Sequence, residues 1–316
     1  MKHGALAGLL AAAAALTSTA CSAQSYPDKP VQMIIPFDAG GNTDLMARAL
    51  QEEMSRALGQ PLVPINKPGA AATLGTGELA RAKPDGVTIG MVPIGPIAIQ
   101  PNIRKLPYGP ESFDYICQTY DVPIFLMVPK TSPYKTAADV IAFAKANPNA
   151  FLYGSSGPGT MPHIATAAFL NAAGATGTHI PFRGSGEMAQ ALLGGTVMAF
   201  SDAPSIAAAN DLRVLAVYSA EREKTHPDVP TMKELGYDFT GSIWGGIIAP
   251  KGLPQPVAAK LEQACEAAAT SEGYKQTAAK LNSPALYKNA RDFKAFVEAQ
   301  SKTMGAVVRA VGLEAK

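Results

Sequence analysis

The chain has 316 residues, 47% of them hydrophobic and 16% charged, with 29 Gly and 26 Pro. This balance excludes a disordered chain. The 27 Lys and Arg nearly cancel 25 Asp and Glu, leaving a formal charge of +2, so no basic surface for nucleic acid is expected. The length suits two α/β domains, and the Gly and Pro load points to many strand-to-helix turns.

The first residues read as a signal peptide, residues 1–23. Met1-Lys2-His3 is a short positive start, followed by the apolar run Gly4–Leu16, which is too short to span a bilayer. The small residues Thr17–Ala23 then offer a cleavage site after Ala23. Cys21 raises lipid anchoring as an alternative, although Ser18 stands where a lipobox wants Leu. Beyond residue 23 no apolar run reaches ~18 residues, so no membrane span is expected. Export places Cys117 and Cys265 in an oxidising compartment where they could pair. The favoured reading is two small, buried apolar residues. Histidines and cysteines are scattered, without Cys-x-x-Cys or His-x-x-x-His spacing, so neither metal nor cofactor is expected.

After the leader, strands and helices alternate. Val31–Phe37 is an apolar run of strand length, Asp38–Asn42 a turn, and Thr43–Leu58 has helical spacing ended by Gly59. Leu62–Asn66 is the next strand, followed by the small-residue loop Pro68–Ala72 and a helix near Leu74–Arg81. Pro84-Asp85-Gly86 marks a turn before the strand Val87–Val92. This rhythm predicts a parallel sheet covered on both faces. An extended stretch, Phe113–Val128, leads to a second set: helix Thr136–Ala146, strand Phe151–Ser155, helix Pro162–Ala173, strand Thr178–Phe182, helix Gly186–Leu193, and strands Val197–Phe200 and Leu212–Tyr218. The strand pattern returns at Ile243–Ala249, and a long helical tail is predicted from Pro256 to Val311. This order fits one domain inserted into another: residues 24–124 plus 245–316 form the first, and residues 125–244 the second.

Two loops share a physical character. Phe37–Asn42 and Ser155–Thr160 each follow a buried strand, are rich in Gly, and open a helix. Helix N-termini present unpaired N–H groups and positive dipole ends, and glycine lets a ligand approach the backbone. Facing each other across a cleft, such loops would hold a carboxylate or phosphate at the carboxyl ends of the strands; singly, each reads as an ordinary turn. Thr160 suits an N-cap or a ligand contact. His163, in the first helical turn, is structural or a contact. Arg183 binds an anion or is solvated, and Asp202 ends a strand where a cleft residue could accept a hydrogen bond. Asp44 and Arg48 have the spacing of an intrahelical ion pair. Enzyme signatures fail: Ser156 has Gly154 two places before it but Pro158 two places after, and Gly75-Thr76-Gly77 lacks the strand and acid of a dinucleotide site.

The ordered motifs resemble the Bug (TctC-type) family, the periplasmic solute receptors of tripartite tricarboxylate transport systems. They are Tyr26-Pro27-x-Lys29-Pro30; Ile35-Pro36-Phe37-x-Ala39-Gly40-Gly41-x-x-Asp44; Asn66-x-Pro68-Gly69-Ala70; Asp85-Gly86-x-Thr88; Tyr153-Gly154-Ser155-Ser156-Gly157-x-Gly159-Thr160-x-x-His163; Leu192-Leu193-Gly194-Gly195; Arg213-x-Leu215-Ala216-Val217; and Asp228-Val229-Pro230-Thr231. The resemblance implies a two-domain α/β fold of the type II periplasmic binding class, closing on a small carboxylate without catalysis. It implies contacts from Phe37, Ala39, Gly40 and Gly41, with Asn42 beside them, and from Ser155, Ser156, Gly159 and Thr160 in the facing domain. The match at Asp202 is looser, because relatives place the acid one position earlier. Where relatives often carry hydroxyl residues, Met91–Gln100 brings Pro93, Ile94, Pro96 and Ile97. That apolar wall favours an aromatic mono- or dicarboxylate such as terephthalate over citrate or an amino acid. The resemblance further implies a monomer that meets membrane transporter subunits; a sensor or adaptor for a signalling partner would use the same residues.

Overall fold

The computed structural model describes residues 26–314; the expected signal peptide and Cys21 lie outside them. Val31–Ile35 forms β1, whose residues are buried except Gln32, as an apolar run inside a sheet requires. After the Gly-rich turn come α1 (Asn42–Leu58), ended by left-handed Gly59, then β2 (Leu62–Asn66), α2 (Thr73–Ala80) and β3 (Thr88–Pro93). A π-type turn, Gly95–Ile99, runs into the short α3 (Gln100–Ile103). β4 (Phe113–Pro123) and β5 (Phe125–Val128) follow, separated by Ile124 alone.

The second set is α4 (Ala137–Ala146), β6 (Leu152–Ser155), α5 (Met161–Ala172), β7 (Thr178–Pro181), α6 (Ser185–Leu193), β8 (Ala199–Asp202), α7 (Pro204–Ala209) and β9 (Arg213–Val217). Thr136 caps α4 through its hydroxyl, which accepts the Asp139 N–H, while the Asp139 carboxylate accepts the Thr136 N–H. This reciprocal cap fixes that start. The chain returns through β10 (Ser242–Pro250) to α8 (Gln255–Ala269), α9 (Glu272–Lys280), β11 (Ala285–Lys288) and α10 (Ala290–Ala310).

Two sheets result, ordered β11-β4-β10-β3-β1-β2 and β7-β6-β8-β5-β9. β2 is an edge strand, which tolerates Pro64 in its middle. The sheets change at two crossings that touch. Ile124 donates its N–H to Gly241 O at 3.4 Å and accepts the Tyr218 N–H at 2.9 Å, while Ser242 pairs with Pro123.

Three expectations are corrected. The sheets are mixed rather than parallel: β10 is antiparallel to β3 and β4, and β5 antiparallel to β8 and β9, because the crossing strands must reverse direction to return. The C-terminal segment is not one helical run. Asn282 adopts φ 50° and Pro284 follows, so the chain leaves α9 and lays β11 along β4 as the edge strand of the sheet. Cys117 and Cys265 are joined in a disulfide, with Cα atoms 6.5 Å apart. Both are indeed fully buried, but α8 packs across β4 so that the two face each other. The helix Pro204–Ala209 was not anticipated either; Pro204 occupies its first turn.

Candidate functional site

The first loop is built by a buried acid rather than by its glycines alone. Gly40 takes the left-handed φ of +81° and donates its N–H to Asp44 Oδ2 at 2.9 Å. Asp44 also receives Arg48 Nε at 3.0 Å and Asn66 Nδ2 at 2.9 Å, and Asn66 Nδ2 donates to Phe37 O. Burial pushes the Asp44 carboxyl up, but bonds from Arg48, Gly40 and Asn66 outweigh it and hold the group below its ordinary value. Asp44 therefore frames the loop as an anion. Thr43 meets the Tyr120 hydroxyl at 3.3 Å, tying the helix start to β4.

The second loop is held by two imidazoles. Ser155 Oγ lies 2.9 Å from Gly157 O and 2.6 Å from His179 Nε2. Gly159 donates its N–H to His163 Nδ1 at 2.9 Å. The two rings stack with centroids 3.7 Å apart and planes within 11°. Burial, and then the neighbouring His179, lowers His163 to about 3; burial lowers His179 to about 4. Both are neutral at neutral pH. Thr160 Oγ1 closes the turn by donating to Gly157 O at 2.8 Å.

The loops meet across a cleft. Gln100 Nε2 donates to Pro158 O at 2.7 Å, and Asn42 Oδ1 accepts the Ser205 hydroxyl at 2.9 Å. Gly157 and Gly159 have φ of +124° and +69°; a Cβ on the first would press on Ala71 and one on the second would collide with Ile103 and Gln100. Opposite them, Ala70, Ala71 and Ala72 are all left-handed, conformations uncommon for alanine, and this brings Ala71 against Gly157.

Between the loops lies a cavity. Its polar lining comes from Gly41, Asn42, Thr43, Ser156, Thr160, Ser185 and Asp202; its apolar lining from Phe37, Pro93, Ile94, Met161, Pro162 and Ile243. Three helices, α1, α5 and α6, begin at lining residues, and their N-caps Gly41, Thr160 and Gly184 supply no side-chain cap. Free N–H groups and positive dipole ends thus converge on one space, each worth roughly 0.3–1 kcal/mol to an anion. The single ionisable side chain of the lining is Asp202. It is 1% exposed, its Oδ1 accepts the Ala203 N–H at 2.7 Å, and its Oδ2 has no partner. Burial, only partly offset by the Ser185 hydroxyl and Ala203, raises it to about 6. Asn42 Nδ2 is likewise buried and unpartnered.

Of the sequence-predicted residues, Phe37, Gly41, Asn42, Ser156, Thr160 and Asp202 line this cavity. Ala39 and Gly40 lie exposed on the loop's outer turn. Ser155, Gly159 and His163 sit behind the lining, in the loop's own bonds. The Arg183 side chain is exposed, and its N–H donates to Glu187. Ser185, missed by the sequence reading, takes the place near that loop. The signal was present: Gly184-Ser185-Gly186 follows a strand and opens a helix, the criterion applied to the other two loops. Ile243 carries no comparable signal. Among the described residues there is no cluster of His, Cys, Asp or Glu suited to a metal, and no helix is long and apolar enough to cross a membrane.

Two mixed sheets joined by touching crossings, with an anion-favouring cavity between them, define a solute-binding receptor of the periplasmic binding class. The comparisons agree. The family model "Tripartite tricarboxylate transporter family receptor" matches residues 46–313. A UPF0065 protein from the gbd 5' region of Cupriavidus necator is 35% identical, covering 97% of this chain and 96% of its own. BugT of Bordetella pertussis is 32% identical over 93% of each. The solved periplasmic binding protein BugD is 32% identical with a TM-score of 0.87, covering 92% of this chain and 100% of its own. MatC of Rhodopseudomonas palustris, solved with malate, is 27% identical with a TM-score of 0.84, covering 90% and 100%. The chain belongs to the TctC (Bug) family of tripartite tricarboxylate transporter receptors.

Proposed function

We propose that the protein captures a small carboxylate in the cavity and delivers it to the membrane subunits of a tripartite tricarboxylate-type transporter. The convergence of three uncapped helix N-termini on a cavity without a cationic side chain carries this reading. Such a site holds an anion by backbone N–H groups, which suits a carboxylate. Neighbours of the same fold were solved with malate and, in a second R. palustris protein at 27% identity and a TM-score of 0.86, with adipate.

Residues 24–124 with 245–316 form one domain and residues 125–244 the other. Binding closes them about the crossings at Ile124 and Gly241, and the bonds of Gln100 to Pro158 and of Ser205 to Asn42 form on closure. The ligand's carboxylate lies at Gly41, Asn42, Ser156 and Thr160, with Ala39, Gly40, Ser155, Gly159 and His163 shaping those loops. The chain works as a monomer in the periplasm. Of the expected apolar wall, Pro93 and Ile94 line the cavity together with Phe37 and Pro162, whereas Pro96 and Ile97 lie outside its lining; these apolar residues favour an aromatic acid such as terephthalate. A thermal-shift panel of terephthalate, benzoate, adipate, malate, citrate and aspartate tests this. The aromatic acids should raise Tm most; stabilisation by citrate or aspartate alone would overturn the aromatic preference.

A further inference from the structure

A ligand anion entering this cavity meets one ionisable side chain, and it is another carboxyl group. Asp202 stands at the end of β8 with Oδ2 unpartnered, and its nearest side-chain donor is the neutral Ser185 hydroxyl. The titratable groups on the surrounding elements offer it no compensating positive charge. Glu187 on α6 is exposed and accepts the Arg183 N–H. Tyr153 on β6 and His163 on α5 are engaged in the ring stack with His179 on β7, and both imidazoles are neutral at neutral pH. β5 and α7 carry no charged residue. From the facing domain, Asp44 is bound to Gly40, Arg48 and Asn66, and Asp38 lies against Gly184.

Two carboxylates brought together in a buried space cannot both remain ionised, and one shared proton resolves the conflict. The opposite wall presents a complementary group, the unpartnered Asn42 Nδ2, a fixed donor for the same anion. We propose that Asp202 binds the ligand carboxylate as the protonated acid, so that each capture takes up one proton from solvent. The proton resides on Oδ2, which donates to a ligand oxygen while Oδ1 continues to accept the Ala203 N–H. When the cleft opens, the ligand leaves as its anion and Asp202 returns the proton to solvent. Release therefore depends on pH without any basic residue in the site. The inference rests on the carboxylate reading above.

The test is isothermal titration calorimetry of the whole mature chain with terephthalate, adipate and malate at pH 6 and pH 8. Ligand carboxyls titrate below about pH 5.5 even for the second proton of a dicarboxylate, and both stacked histidines below pH 5, so both contribute only marginally in this window. With free Asp202 titrating at about 6, uptake of one proton weakens Kd by about 50-fold between pH 6 and pH 8, approaching tenfold per unit. Heats compared in HEPES and Tris at pH 8 should give about one proton taken up per ligand, a wild-type measurement independent of any variant. Asp202→Asn should flatten the profile, its Kd values at the two pH values agreeing within about threefold. A wild-type Kd that is unchanged, or tighter, at pH 8 overturns the proposal while leaving the carboxylate reading intact. Binding of none of the three acids at either pH overturns the carboxylate reading, and this inference with it.

Discussion

Gly159→Ala separates closure of the cleft from stability of the fold. The residue is left-handed, at φ +69°, so alanine costs about 1 kcal/mol of backbone strain whether the cleft is open or closed. The added methyl group acts only on closure, because the atoms it meets, Ile103 Cδ1 and Gln100 Nε2, belong to the other side of the cleft. Ile103 can rotate away. Gln100 cannot do so without losing its 2.7 Å bond to Pro158 O. Overpacking of this kind costs about 1–2 kcal/mol, at the lower end of its range because side-chain ends can yield. Kd should therefore rise about 5–30-fold, while Tm without ligand falls by only a few degrees. Calorimetry with the best acid of the thermal-shift panel, with small-angle scattering before and after ligand, reads both effects. An affinity within twofold of wild type would show that the loop does not contact Gln100 and Ile103 when ligand is bound.

Asn42→Ala removes both the bond to Ser205 across the cleft and the Nδ2 donor to the ligand, and should weaken ligand binding about 30-fold, for a loss of about 1 kcal/mol from each; calorimetry checks it. The disulfide closes a separation of 148 residues, for which loop entropy predicts about 5 kcal/mol. Paired Cys117→Ala and Cys265→Ala should thus lower Tm by several degrees, and dithiothreitol should lower the wild-type Tm similarly. His163 and His179 are held well below the ordinary histidine value in the fold, so the unfolded chain binds protons first as pH falls. Their contribution to stability is complete above about pH 6.5 and is lost as pH drops towards 4 and then 3. Denaturant unfolding at pH 7 and pH 4.5 should show that loss, and His179→Asn should reduce it.

The elements that were legible in the sequence are those whose signal is local. The buried run Val31–Ile35, the Gly59 stop and the Thr136 cap each follow from a handful of neighbouring residues. Reversed strand directions were not legible, because the direction of β10 depends on a crossing between residues far apart in the chain. Pairing of Cys117 with Cys265 depends likewise on how α8 lies across β4. At the site, glycine turns pointed to Phe37–Asn42 and Ser155–Thr160, yet a glycine does not say whether it faces the ligand or the loop's own scaffold. Gly41 faces the cavity, whereas Gly159 faces Ile103 and Gln100. The stacked His163 and His179 are sixteen positions apart on different elements, so no spacing rule joins them. Nor could the sequence reveal that Asp202 and Asn42 both bury an unpartnered atom in one space.

Native mass spectrometry of protein purified without denaturation bears most directly on the central claim, that uncapped helix ends in the cleft hold a small organic acid. The species released from the wild-type chain should carry at least one carboxyl group, and its occupancy should fall in Gly159→Ala. A released amine, sugar or metal ion lacking a carboxyl group would contradict the account.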